Sequence, residues 1–390
     1  MFFGKEYSAG RLLLTGCNVA DARNLRVLRN TTVLVERGTI TAVGGFDPAG
    51  VDARHIQADG CTATPGLIDA HVHLCLSGRP NCHLELDALS SAENEELLNA
   101  NLALNLRNGV TTVRDLGCRW GMLDRMRLLE RGETVFPTVL TSGPVFTVPE
   151  GHGSFFGETV FPEQAPDMIR RLRENGAEVV KIIGTGGTLS PRTDCHGSQY
   201  TDEEFSGIME AVREAGFEAA CHAHAETAIE QCLRYNVRSI EHGSYMSEDQ
   251  VLRLADKDDC FWTPTVCPGR LISGLSEDAA DRTRRRRGNI RAAVRYGVNL
   301  VAGTDAGIGG LKHGRLPYEL DEFMEAGMTP LAALSSATHM AAVMMRMEGR
   351  IGVIEPGAVA DILLFRGDIE NGPFSFHDPL SVIKGGRLLA

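Results

Sequence analysis

The chain has 390 residues, 43% of them apolar and 23% charged, with a net charge of −12. That composition excludes a mostly disordered chain. The acidic balance excludes nucleic acid and anionic membrane as expected partners. The length exceeds the ~250–300 residues at which single cores stop growing, so one large domain and a smaller one are expected.

Residues 1 to about 62 read as short strands and turns. Arg11–Gly16, Thr31–Glu36 and Thr39–Val43 are rich in Leu, Val, Ile and Thr, and Glu36-Arg37-Gly38 makes a hairpin-like turn. From residue 63 short apolar runs alternate with helical stretches. The runs are Gly66–Ala70, Val110–Val113, Val139–Ser142, Val179–Ile183, Glu218–Cys221, Val237–Ile240, Phe261–Thr265 and Val298–Ala302. Glu93–Leu106, Asp202–Ala215 and Pro330–Met345 carry apolar residues at three-to-four spacing, and Thr201 to Glu204 supplies a capping box. Eight strand–helix units over this span predict an α/β fold, a (β/α)8 TIM barrel of residues 63–346. A doubly wound sheet is the rival, but no GxGxxG stands between a strand and a helix. Asp361–Phe365 and Leu380–Leu389 read as strands again. Neither terminal piece can bury a core alone, so residues 1–62 and 347–390 are expected to form one composite β-sandwich.

Ten cysteines lie without a CxxC or repeated spacing, as expected of reduced, buried thiols. The N-terminus lacks a signal-peptide pattern, and no run reaches the ~18 apolar residues of a membrane span. A cytoplasmic location is expected. The basic cluster Arg282 and Arg284–Arg287 reads as a solvated helix face.

The chemistry-bearing residues fall at the ends of the expected strands, and in such a barrel those ends converge on one face. His71 and His73, in Pro-Gly-Leu-Ile-Asp-Ala-His-Val-His, share one face of a strand. Two neutral imidazoles held so can bind one divalent metal. Lys181 sits inside Val-Val-Lys-Ile-Ile. Cys221-His222-Ala223-His224, Glu241-His242-Gly243 and Gly303-Thr304-Asp305-Ala306-Gly307 follow at later strand ends.

These motifs resemble the metal-dependent amidohydrolase superfamily. Within it, the nearest likeness is to the imidazolonepropionase-like branch of Xaa-Pro dipeptidases and related carboxypeptidases. The likeness covers Pro65–His73, Thr111–Gly117, Val180–Gly187, Cys221–His224, Ile240–Gly243, Ala302–Gly307, Ala337-Thr338 and Ile351–Leu363. It implies a two-metal site. His71 and His73 would bind the buried metal, and His222 and His242 the second. Lys181 would bridge both as a CO2-derived carbamate, and Asp305 would touch the first metal and act as general base. An apolar strand favours a neutral, reactive lysine amine, and a carbamate gives it two anionic oxygens. Zinc is the expected metal, with Mn, Co and Fe compatible with the same ligands.

The implied reaction is hydrolysis of an amide in a dipeptide or N-acyl amino acid. A metal-bridging hydroxide attacks the carbonyl, and Asp305 passes the proton to the leaving nitrogen. The expected partner is therefore a small-molecule substrate; a homo-oligomer is left open. His224 is expected to contact substrate, in a position from which it also reaches a metal. His152, Arg192 in the glycine-rich loop Gly184–Ser198, and Tyr245 are further substrate-binding candidates. Glu241, preceding a ligand in its strand, is expected to point away from His242 and to form a structural ion pair or take part in catalysis. Rival functions are a mononuclear deaminase, a lactonase or cyclic amidase, and a non-catalytic scaffold. Lys181 weighs against the deaminase, as does Ala225 where those relatives place a glutamate.

Overall fold

The computed structural model describes residues 10–129, 134–187, 190 and 193–389. Five strands open it: β1 (Leu12–Asp21), β2 (Arg26–Glu36), β3 (Thr39–Val43), β4 (Arg54–Gln57) and β5 (Cys61–Pro65). β1, β2 and β3 form an antiparallel meander. One edge of β1 is divided between two parallel partners, with Leu12–Thr15 against β4 and Asn18–Val19 against β5. The sheet forks there, because the register of β1 shifts between Leu14 and Val19 and a bulge bends a strand away from its first neighbour.

Two parallel sheets follow. β6 (Leu67–Val72), β7 (Val110–Asp115) and β8 (Thr138–Thr141) make the first. β9 (Val145–Thr147), β10 (Gly157–Thr159), β11 (Val180–Ile183), β12 (Ala219–Ala223), β13 (Ser239–His242) and β14 (Phe261–Thr263) make the second, in the order β10-β9-β11-β12-β13-β14. Backbone bonds join the edges of the two sheets. Glu178 N donates to Thr141 O at 2.9 Å on one side. On the other, residues 299–306 link β14 to β6: Val301 N donates to Trp262 O (2.9 Å), Ala70 N to Ala302 O (3.1 Å) and Asp305 N to His71 O (2.8 Å).

The expected strand Val298–Ala302 is only a bridge at Leu300. Its ladder is interrupted because Ala302 N donates to Ser336 O instead of to a strand. The same diversion splits the expected helix Pro330–Met345 into Pro330–Ser336 and His339–Met344. Ala337 O accepts from Ile68 N at 2.7 Å, so the helix carbonyls turn toward strand edges. Elsewhere helices form where apolar spacing places them. Ser91–Arg107 and Asp202–Glu214 both begin with complete capping boxes, at Ser90/Glu93 and Thr201/Glu204. Leu98, Leu102 and Leu106 of the first, and Phe205, Ile208 and Val212 of the second, are buried in one cluster with the parallel strands.

The chain then returns to the first sheet through β15 (Ile362–Arg366), β16 (Ser381–Lys384) and β17 (Arg387–Leu389). β15 pairs antiparallel with β5, Ile362 opposite Pro65, and completes the path β17-β16-β15-β5-β1-β2-β3. Both ends of the chain thus share one eight-stranded sheet with its own apolar cluster, including Leu14, Val33, Val35, Ile362 and Ile383. Among the described residues, no helix is long and apolar enough to cross a membrane.

Candidate active site

Strand alternation places Asp69, His71 and His73 on one face at the end of β6. The Asp69 carboxylate accepts from Thr304 N (3.0 Å) and Thr304 Oγ1 (2.7 Å), which ties the Gly303–Gly307 turn to this strand. The glycines let the two backbones meet. A Cβ on Gly303 would lie 2.9 Å from the His71 Cβ, and one on Gly307 2.3 Å from His73 O. Asp305 takes a positive φ of 63°, a conformation rare outside glycine and asparagine. That turn brings its Oδ1 to 3.5 Å from His71 Nε2 and 3.3 Å from His73 Nε2. His71 Nδ1 donates to Glu241 Oε2 at 2.7 Å, so the Nε2 lone pair faces Asp305.

A second donor group stands beside it. His222 and His224 are two apart at the end of β12, with ring centroids 4.7 Å apart. His242 ends β13 with a positive φ of 69°. The turned backbone breaks the alternation, so Glu241 and His242 both face the interior. The His242 ring lies 4.5 Å from that of His222 and 4.9 Å from that of His224. Each ring is fixed from behind: His242 Nδ1 by Thr265 Oγ1 (2.7 Å) and His224 Nδ1 by Ser244 Oγ (2.7 Å). His222 Nε2 lies 3.1 Å from Gly186 O. In each group, one ligand atom per residue lies within 4.8 Å of the other two. Burial lowers the pKa of His71 to about 4 and those of His222, His224 and His242 well below 6.5, so these rings offer neutral lone pairs. Imidazoles and a carboxylate grouped so fit divalent cations.

Lys181 on β11 lines the same cavity, and its Nζ is buried without a hydrogen-bond partner. Burial pulls its pKa down from 10.5 to about 8. A buried charged pair lies among the parallel strands near it. Arg114 Nη2 donates to Glu241 Oε1 at 2.8 Å and to Ser239 Oγ at 3.0 Å, and its Nε donates to Ala70 O at 2.7 Å. Burial pushes the Glu241 carboxyl up, but Arg114 and His71 outweigh it and hold it well below the usual range.

A family model, the amidohydrolase family, matches residues 62–389. The chain belongs to this family. It is therefore a hydrolase that acts on C–N bonds. The ochratoxinase of Aspergillus niger is 24% identical over 415 residues, covering 93% of this chain and 83% of the relative. The imidazolonepropionase of Geobacillus kaustophilus is 26% identical over 411 residues, covering 94% and 91%. A solved Xaa-Pro dipeptidase with methionine in its active site superposes with a TM-score of 0.86 at 24% identity, covering 97% of this chain and 99% of that one. That likeness shows a shared fold.

The cavity of this amidohydrolase, about 330 Å3, gathers His71, His73, Lys181, His222, His242 and Asp305, with His152 and His224. The buried His152 ring lies 4.6 Å from that of His222, and its Nδ1 pairs with Ser190 Oγ at 3.1 Å. Arg192 lies outside the described residues. Tyr245 is not among the cavity-lining residues. Its backbone N bonds His224 O, while its hydroxyl points outward and donates to Asp278 Oδ1 at 3.1 Å.

The solvated-face reading of the arginine cluster needs correction. Arg284 and Arg285 are exposed and pair with Asp281, but Arg282 and Arg286 are buried and line the cavity. Their spacing of four, on a helix whose buried residues are Ala279, Arg282, Thr283, Arg286, Ile290 and Ala293, was the available signal. Sequence reasoning also missed the bond from Glu241 to His71 and the orienting hydroxyls of Ser244 and Thr265.

Proposed function

We propose that this chain is a two-metal hydrolase that cleaves an amide in a dipeptide or an N-acyl amino acid. One observation carries the reading: a buried, partnerless Lys181 amine in the same cavity as two histidine groups. A plain ammonium repels a cation and has no lone pair. The neutral amine adds to CO2 and releases a proton, giving a carbamate whose two oxygens suit two metals.

His71, His73 and Asp305 would hold one ion, His222 and His242 the other, and the Lys181 carbamate both. Zinc suits these ligands. Two such ions, when bound, lower the pKa of a water toward ~7 and polarise the substrate carbonyl. Asp305 then takes the water's proton and delivers it to the leaving nitrogen. His152 and His224 line the space beside His222 and contact the substrate. Glu241 holds His71 in one tautomer and orientation, so its part is positional.

The parallel strands are read as one closed (β/α)8 barrel of residues 63–346, supported by the bonds that join both pairs of sheet edges. Residues 1–62 and 347–390 are read as a composite β-domain. Ten unpaired cysteines support a reducing, cytoplasmic setting, and the charge of −12 supports a small-molecule substrate rather than nucleic acid or membrane. The imidazolonepropionase relative favours one second reading, hydrolysis of a cyclic amide.

The test is mass spectrometry of products from dipeptides, N-acyl amino acids, lactones, cyclic amides and aminated heterocycles, with protein, zinc and bicarbonate. Two fragments summing to the parent plus water support the proposal. A ring compound that gains water without splitting supports the second reading. Replacement of an amino group by oxygen overturns both. Metal analysis of Lys181→Met should show fewer than two ions per chain.

A further inference from the structure

Arg286 is buried in the cavity wall, and among the described residues no carboxylate forms an ion pair with it. Its Nη1 holds the turn at Thr265, donating to Pro264 O (3.1 Å), Thr265 O (2.8 Å) and Thr265 Oγ1 (3.2 Å). Its Nε is buried without a partner. Burial lowers its pKa to about 10, which leaves it charged at neutral pH. One turn earlier, Arg282 lines the same cavity and pairs with Asp278. Asp305 is the one acid among the described lining residues, against Arg282 and Arg286.

A buried guanidinium without a counterion is costly unless a ligand supplies the charge. Its planar fork fits a carboxylate. Phe155, Phe156, Ile272, Leu275 and Ile308 give the rest of the wall an apolar character.

We propose that Arg286, with Arg282 one turn before it, receives the carboxylate of the substrate. The substrate class is then an amide that carries a free carboxylate and an apolar side group. This rests on the amide-hydrolase reading for the bond cleaved, but not for the anion bound.

The test is calorimetric titration of the metal-loaded protein with N-acetylphenylalanine and with its neutral carboxamide, with products analysed in the same samples. The acid should bind roughly 10- to 100-fold more tightly, the range of a charge-assisted hydrogen bond. In Arg286→Gln that ratio should fall to within about threefold, and Arg286→Lys should restore part of it. Equal binding of the two ligands by wild type overturns the proposal. So does a preference that survives intact in Arg286→Gln, since the carboxylate would then sit on other groups. If Arg286→Gln does not fold, the ratio in Arg282→Gln decides, and it should fall at least about threefold. An intact ratio without cleavage refutes the amide reading and leaves the carboxylate site standing.

Discussion

The two donor groups share one cavity but are held in opposite ways. His71 is backed by a buried charge chain, Arg114 to Glu241 to His71, and Asp305 adds a carboxylate beside it. His222, His224 and His242 are backed by a carbonyl and two hydroxyls, all uncharged. A carboxylate behind an imidazole fixes its tautomer and raises its basicity, whereas a hydroxyl mainly orients it. The first group is therefore the better preformed cation site. The second has no carboxylate among its donors, and under the proposed reading its negative charge would come from a carbamate on Lys181.

Removing the anion of the first group should have the largest effect. Asp305→Asn keeps the shape of the turn but removes the base. We expect kcat for amide hydrolysis to fall by roughly 10²–10⁴-fold. Steady-state kinetics on the cleaved substrate decides this, with metal content measured alongside. A variant with near-normal kcat would move the proton transfer to another group.

Next is the charge chain. Glu241→Gln leaves the buried Arg114 without its counterion, at a cost of about 3–5 kcal/mol. Denaturant unfolding of the metal-free protein should show that loss. Metal titration should show the first site weakened by roughly 10- to 100-fold. Thr265→Val tests the second group in the same way and should weaken its site toward the lower end of that range, with a smaller loss of stability. Equal losses in both variants would erase the distinction between the two groups. Ser244→Ala sharpens the choice between His222 and His224. If His224 contacts substrate, the variant keeps two metals per chain and raises KM; if His224 is a ligand, the metal count falls.

Much of this arrangement was legible in the sequence because strand alternation has a period of two. His71 and His73, then His222 and His224, could be placed on common faces from spacing alone. The relation of Glu241 to His242 could not. A positive φ at His242 overrides alternation, and no residue type announces it. Asp305 was found by motif, but its geometry rests on a similar turn. The arginine cluster was misread because five cations in six positions look solvated, although the helix period puts Arg282 and Arg286 on the buried face. Residues 298–302 had the composition of a strand, yet their pairing was lost to a helix carbonyl, a long-range competition invisible in a local window.

The smallest expected effect is the pH dependence of the metal-free protein, and it joins both groups. Burial holds His71 at about 4, His152 and His313 at about 3, and His222, His224 and His242 well below the ordinary 6.5. As pH falls through 6.5 the unfolded chain takes up protons that the folded one refuses, so stability is lost on acidification. Three buried carboxyls act the other way: Asp115 is raised to about 6, Asp69 to about 7 and Glu319 to about 8, all by burial. The folded chain keeps protons that the unfolded chain has released, so their contribution fades as pH rises from about 4 to about 8. Below 6.5 the six histidines outweigh the three carboxyls; between 6.5 and 8 Asp69 and Glu319 dominate the change, and the lowered Lys181 works against it only from about pH 8 upward. The melting temperature of chelated protein should therefore peak near pH 6.5 and fall on both sides. Bound metal competes with protons for the imidazoles and should move the acid limb to lower pH. A chelated protein whose melting temperature is flat from about pH 5 to about pH 8 would mean that the histidines protonate in place, and that neither group is held as a set of neutral donors.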